Sequence, residues 1–145
     1  MSALSGRIEG EIHVLPLRVY YEDTDAGGAV YHSNYLKYAE RARSEMLRLV
    51  GIEQTALRER SGLIFAVSTL TIAFKRPARF DDLLEVRSRL SALAGASVTA
   101  EQRILRAAEE LAQLVVRVAL VTADGRPARL PRDLRQALKP YLAAA

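Results

Sequence analysis

Between residues 34 and 50 the apolar side chains fall at Tyr35, Tyr38, Ala39, Ala42, Met46, Leu49 and Val50. Intervals of three and four are the period of a helix with one buried stripe. The spacing predicts a helix from about Asn34 to Val50. Ser33 or Asn34 can accept the unpaired amides at its start, Gly51 offers a left-handed stop, and Arg48 suits the last turn. A short second helix is expected over Glu53–Arg60.

Elsewhere the period is two. Leu17–Tyr21 (LRVYY), after Pro16, is rich in β-formers and reads as a strand. In Leu63–Lys75 the apolar positions are odd at 63, 65 and 67, then even at 70, 72 and 74. The buried face therefore switches near Ser68, as at a β-bulge, and Pro77 ends the run. Leu83–Leu93 and Ala96–Leu105 alternate around a hairpin turn at Ala94-Gly95. Leu111–Thr122 is more continuously apolar, as an interior strand is, and stops at Asp124-Gly125. Residues 132–142 can form a short terminal helix. One long helix with consecutive antiparallel strands predicts an α+β fold, a sheet wrapped around that helix.

A chain of 145 residues is expected to be one domain, and it is long enough to bury a real core. The absence of cysteine removes disulfides, thiolate metal sites and a cysteine nucleophile, and two histidines exclude a histidine-rich metal site. The N-terminus, MSALSGRIEGEIHVLPL, has glutamates at 9 and 11 and no long apolar stretch, so it is not read as a secretory signal. The longest apolar run, LVVRVALV at 114–121, is far too short for a membrane span. A cytoplasmic location is the expectation. The net charge is +4 and the pI near 9.7, carried by scattered arginine, with Arg126, Arg129, Arg132 and Arg135 three residues apart. That pattern is a solvated face or a contact for a phosphorylated ligand; no nucleic-acid motif accompanies it.

Titratable chemistry concentrates in YEDTDAGGAVYHSNY, residues 21–35. Asp23 and Asp25 share a face if the segment is extended. Either could be a general base or nucleophile, and either could cap the Gly27-Gly28 bend. His32 could serve catalysis or simply sit at the helix entry. The glycines let backbone approach a ligand, and the helix start presents free N–H groups to a polarised carbonyl. A carboxylate facing such donors is a workable arrangement for acyl transfer. No nucleophile elbow, P-loop, dinucleotide fingerprint or H-E-x-x-H occurs.

RVYYEDTDAGGAVYHSNYLKYAERARSEML, residues 18–47, closely resembles the opening motif of the hotdog-fold acyl-CoA thioesterases. It is most similar to the Tol-Pal-associated branch, relatives of 4-hydroxybenzoyl-CoA thioesterase. The likeness continues more loosely through KRPARFDD at 75–82 and RPARLP at 126–131, leaving residues 1–16 as an N-terminal extension outside it. The resemblance implies a long helix wrapped by a five- or six-stranded antiparallel sheet. It also implies homodimers, commonly assembled into tetramers, that bind acyl-CoA at clefts between subunits and need no cofactor. It places the catalytic carboxylate on Asp25 and the carbonyl-polarising amide on His32. Gly27 and Gly28 would admit the thioester, while Tyr21, Tyr31 and Tyr35 would line the pocket or pack the helix and strands. Histidine at 32, and A-G-G where hydroxybenzoyl enzymes have P-A-G, favour the Tol-Pal-like branch. Association with envelope or lipid-synthesis proteins is compatible with it. The alternatives are a non-catalytic acyl-CoA-binding or regulatory hotdog, which retention of Asp25 argues against, and a hotdog hydratase or dehydratase, whose motif is missing.

Overall fold

The computed structural model describes residues 3–143. A short hairpin, β1 (Arg7–Glu9) and β2 (Ile12–Arg18), leads through a 3-10 turn at Tyr21–Asp23 to the long helix α1 (His32–Leu49) and the short α2 (Gln54–Ser61). Four long strands follow: β3 (Ile64–Phe74), β4 (Leu83–Leu93), β5 (Ser97–Arg106) and β6 (Glu109–Val121). Helix α3 (Arg132–Leu138) and a final 3-10 turn close the chain. All neighbouring strands are antiparallel, in the order β1-β2-β4-β5-β6-β3. One six-stranded sheet cradling one long helix is the hotdog arrangement.

Helix α1 turns Tyr35, Tyr38, Ala39, Ala42 and Met46 onto the sheet, the stripe its spacing predicts. Ala39 and Ala42 are fully buried, and their small side chains let the helix approach β2, β4 and β5 closely. Gly51 ends the helix with φ +89°, a backbone conformation that costs glycine little. The core divides along the helix. One cluster gathers Leu15, Val19, Val30, Tyr35 and Tyr38 around its first half, and the other gathers Met46, Leu57, Leu120, Leu134 and Leu138 around its second. A polar bridge crosses between helix and sheet. Arg43 Nη1 donates to Gln102 Oε1 at 2.9 Å, and Gln102 Nε2 donates to the Ala39 carbonyl and to Ser88 Oγ.

The expected bulge in β3 is present, with the register shifting between Val67 and Thr69. The expected strand at Leu17–Tyr21 is a correction: β2 lies earlier, and Tyr21 already belongs to the 3-10 turn. Pro16 sits inside β2, paired with Glu85. It is tolerated because β1 ends at the Arg7–Val14 pair, so no strand neighbours Pro16 on that side. The sheet's two edges differ. β1 is three residues long and ion-paired, through Arg7 and Glu9, with Glu85 and Arg87. β3 is eleven residues long, has a neighbour on one side only, and exposes Ile64, Val67 and Phe74.

Candidate active site

The Gly-Gly loop closes on itself before α1 begins. Asp25 N–H donates to the Ala29 carbonyl and Gly28 N–H to the Asp25 carbonyl, with Gly28 at φ +82°. Asp25 Oδ1 accepts the amides of Gly27 at 2.9 Å and Ala29 at 3.2 Å. Its other oxygen, Oδ2, has no hydrogen-bond partner among the described residues. Any side chain at position 27 would come within 3.4 Å of the bonded oxygen. The Asp25 carboxylate is thus fixed by one oxygen and exposed to solvent.

Asp23 is engaged differently. Its Oδ2 accepts the Tyr20 amide at 2.9 Å, and its carbonyl accepts both the Tyr31 amide and Asn34 Nδ2. Here the expected helix cap is corrected. The helix starts at His32 after an extended Tyr31, with no side-chain cap, and neither Ser33 nor Asn34 serves as one. Asn34 instead ties the first turn back to the Asp23 carbonyl. The amides of His32 and Ser33, at the positive end of the helix dipole, have no acceptor among the described residues.

A second segment holds this loop in place. Val30 N–H donates to the Ala78 carbonyl, Ala29 bridges to Arg79, and Ala78 N–H donates to the Tyr35 hydroxyl at 2.9 Å. Tyr35 is a core residue, 3% exposed, whereas Tyr31 is 49% and Tyr21 80% exposed. The His32 ring lies 4.4 Å from Tyr31 and 6.4 Å from Phe74, so an aromatic rim surrounds the helix start. Beneath it the Tyr38 hydroxyl is buried with no hydrogen-bond partner among the described residues. Burial, and then the nearby Asp23 carboxylate, which it approaches without a hydrogen bond of normal geometry, push the phenol well above its usual range.

The structure brings Asp25, Gly27, Gly28, Tyr31 and His32 to one exposed rim and leaves Tyr35 below it. A cavity of about 230 Å³ lies elsewhere, between the second half of α1 and the first half of β3. Glu40, Arg43, Met46, Phe65, Val67 and Leu90 are among its lining residues. Along α1 its Arg43 is about 16 Å from His32 at 1.5 Å per residue. The sequence reading did not single out this cavity. Its only signal there was a pair of charges, Glu40 and Arg43, one turn apart beside the apolar stripe.

Arginines lie at both ends of the sheet. Arg79 adjoins the Asp25 loop and makes no ion pair among the described residues, while Arg76 is paired with Glu109 at 3.3 Å. Arg126–Arg135 lie at the opposite end of the sheet, against the β4–β5 turn, where Arg135 donates to the Ala94 carbonyl. Among the described residues no group of three His, Asp or Glu side chains gathers as a metal site would need. No helix among them is long and apolar enough to cross a membrane.

With that geometry established, comparison with known proteins is specific. The model of the thioesterase-like superfamily matches residues 19–138. Acyl-CoA thioesterase YbgC of Haemophilus influenzae is 44% identical over 123 residues, 84% of this chain and 90% of the relative. Acyl-CoA thioester hydrolase YbgC of Escherichia coli is 41% identical over 122 residues, 82% and 90% of the two chains. A crystal structure of a probable thioesterase from Bartonella henselae superposes with a TM-score of 0.78 at 43% identity, covering 83% of this chain and 99% of that one.

Proposed function

Since the chain belongs to the thioesterase-like superfamily, we infer that it is an acyl-CoA thioesterase, hydrolysing an acyl-CoA thioester to free acid and coenzyme A. The relatives named for this activity at 41–44% identity support the reaction class. The observation that carries the mechanism is the half-satisfied Asp25 carboxylate. Two amides hold Oδ1, and Oδ2 is free to meet a reacting group beside a helix start with two unused amides. Asp25 acts as general base toward water or as nucleophile on the carbonyl carbon. Either route needs the anion.

In the first route Oδ2 takes a proton from water as its oxygen bonds to the thioester carbon. The oxyanion that develops is stabilised by the His32 amide at the helix start. Collapse breaks the C–S bond, and the proton held by Asp25 passes to the departing sulfur. In the second route the carboxylate oxygen forms the mixed anhydride, sulfur leaves, and water then cleaves the anhydride. Neither route draws on a metal or an organic cofactor.

The working unit in this reading is a dimer built on the long open edge of β3. Antiparallel self-pairing would satisfy that edge and cover Val67 and Phe74. It would also set the Asp25 loop, near the end of one β3, over the cavity at the start of the other. That cavity then holds the acyl group. Release of free thiol from a panel of acyl-CoAs tests the reaction. Hydration of enoyl-CoA without thiol release would replace it with the hydratase reading.

A further inference from the structure

We propose that Tyr38 is a positioning residue for thioester hydrolysis: its buried hydroxyl closes onto the Asp23 carboxylate in the reacting complex and so fixes Asp25 against the amides at the start of α1. The proposal rests on the thioesterase reading and gives a use to a polar group that the free protein leaves without one.

Two side chains of α1 converge on Asp23. Asn34 and Tyr38 stand one turn apart on the same face of the helix. Asn34 Nδ2 donates to the Asp23 carbonyl at 2.8 Å, and the Tyr38 hydroxyl approaches the Asp23 carboxylate. That carboxylate accepts a single hydrogen bond among the described residues, from the Tyr20 amide at 2.9 Å. The hydroxyl makes none among them, although Tyr38 is only 2% exposed. Burial, and then the Asp23 charge, keep the phenol protonated, so it faces the anion as a donor. A buried hydroxyl without a bond destabilises a folded chain, and phenylalanine would fill the same space without that penalty. Such groups are retained where function needs them.

Asp23 is also the joint between the two halves of the site. Its carbonyl takes the Tyr31 amide at 2.9 Å along with Asn34, which consumes one donor of the helix start and leaves those of His32 and Ser33. On its other side Thr24 bridges Val30, and Asp25 N–H donates to the Ala29 carbonyl at 2.8 Å. A rotation at Asp23 therefore moves the Asp25 carboxylate relative to the helix-start amides. Misplacing reacting groups by ~1 Å can lower a rate ~10²-fold. Catalytic hydrogen bonds that are long or poorly aligned in a free enzyme tighten in the reacting complex, and the contact of Tyr38 with Asp23 is of this kind. A bond made only there acts on kcat, and neither on KM nor on folding.

Tyr38→Phe tests this, with thiol-release kinetics on an acyl-CoA and thermal unfolding measured side by side. The expected result is a kcat lower by about tenfold, the smaller end for one hydrogen bond to a charged group. KM should stay constant, and Tm should be unchanged or raised. A hydroxyl that only braces the fold gives the reverse, a lowered Tm with kcat intact, and that outcome overturns the proposal. So does a loss that falls on KM. Asp23→Asn and the double variant then show whether Tyr38 works through Asp23. The two losses in kcat should not multiply, leaving the double variant about as slow as the slower single one. Losses that multiply overturn the proposal. A wild type that releases thiol from no acyl-CoA refutes the thioesterase reading and takes the proposal with it. An active wild type beside an unimpaired Tyr38→Phe refutes the positioning role alone.

Discussion

Replacing Tyr35 with phenylalanine removes one oxygen and leaves the ring in its packing. That oxygen accepts the Ala78 amide at 2.9 Å, and Ala78 is fully buried. No other acceptor for this amide exists among the described residues, so Tyr35→Phe leaves a buried donor unpaired. Such a donor costs ~1–3 kcal/mol, or roughly 2–4 °C in Tm for each kcal/mol at about this chain length. The aromatic contacts with Tyr38 and Phe74, at 6.3 and 5.3 Å, persist and limit the loss to the hydrogen bond. Because Ala78 in turn holds Val30, the variant should also loosen the Asp25 loop and lower kcat while KM stays nearly constant. Urea unfolding at one fixed protein concentration, with thiol-release kinetics alongside, measures both. Unchanged stability with a raised KM would refute the argument and restore Tyr35 to the pocket wall.

Three further outcomes follow from other parts of the molecule. His13 is fully buried, with Nε2 bonded to the Ser5 carbonyl at 2.7 Å and Nδ1 without a partner among the described residues. Burial lowers its pKa below the usual value, against the weaker opposing pulls of the Ser5 carbonyl and Glu45. The unfolded chain therefore binds a proton that the folded one refuses: stability is intact above about pH 6.5 and falls below it, until the folded pKa is reached. Thermal melts should show a steeper loss from pH 7 to 5 in wild type than in His13→Gln, and equal slopes would count against it. Gly28→Ala forces a side chain at φ +82° and should cost about 1–2 kcal/mol by denaturant titration; no loss would mean the loop adopts another conformation. Thr69→Lys sets like charges side by side across the two-fold of a β3 pair, so sedimentation should show the 16.0 kDa monomer. An unaltered dimer would place the interface elsewhere.

Periodicity exposed most of the fold. The stripe from Tyr35 to Met46 marked α1, and the parity switch at Ser68 marked a real bulge, because both patterns record one-sided burial directly. What it missed depends on partners distant in sequence. Val19 and Tyr20 look like strand residues, yet Val19 bonds to Asp81 and Asp82 outside any strand. Pro16 seemed to close off a strand that in fact runs through it, since the tolerance comes from where β1 stops. Asn34 reads as a cap, but an acceptor eleven residues earlier captures its side chain. In the candidate site, the Gly-Gly bend and the titratable residues were legible. The pairing of Tyr35 with Ala78, the buried Gln102 bridge and the cavity beside Arg43 were not, because local spacing carries no trace of contacts between helix and sheet.

The turnover of Asp25→Asn on an acyl-CoA substrate, set beside that of Asp23→Asn, bears most directly on the catalytic assignment. Asparagine keeps an oxygen that can accept the Gly27 and Ala29 amides, so the loop survives while charge and basicity are lost. Circular dichroism and unfolding would show both variants folded. A positioned acid or base contributes ~10²–10⁴-fold, so kcat of Asp25→Asn should fall at least ~10²-fold, about 2.7 kcal/mol in barrier. Asp23→Asn, whose lost charge only shapes the 3-10 turn, should fall far less. Near-normal turnover in a folded Asp25→Asn protein, or a larger loss in Asp23→Asn, would contradict the account.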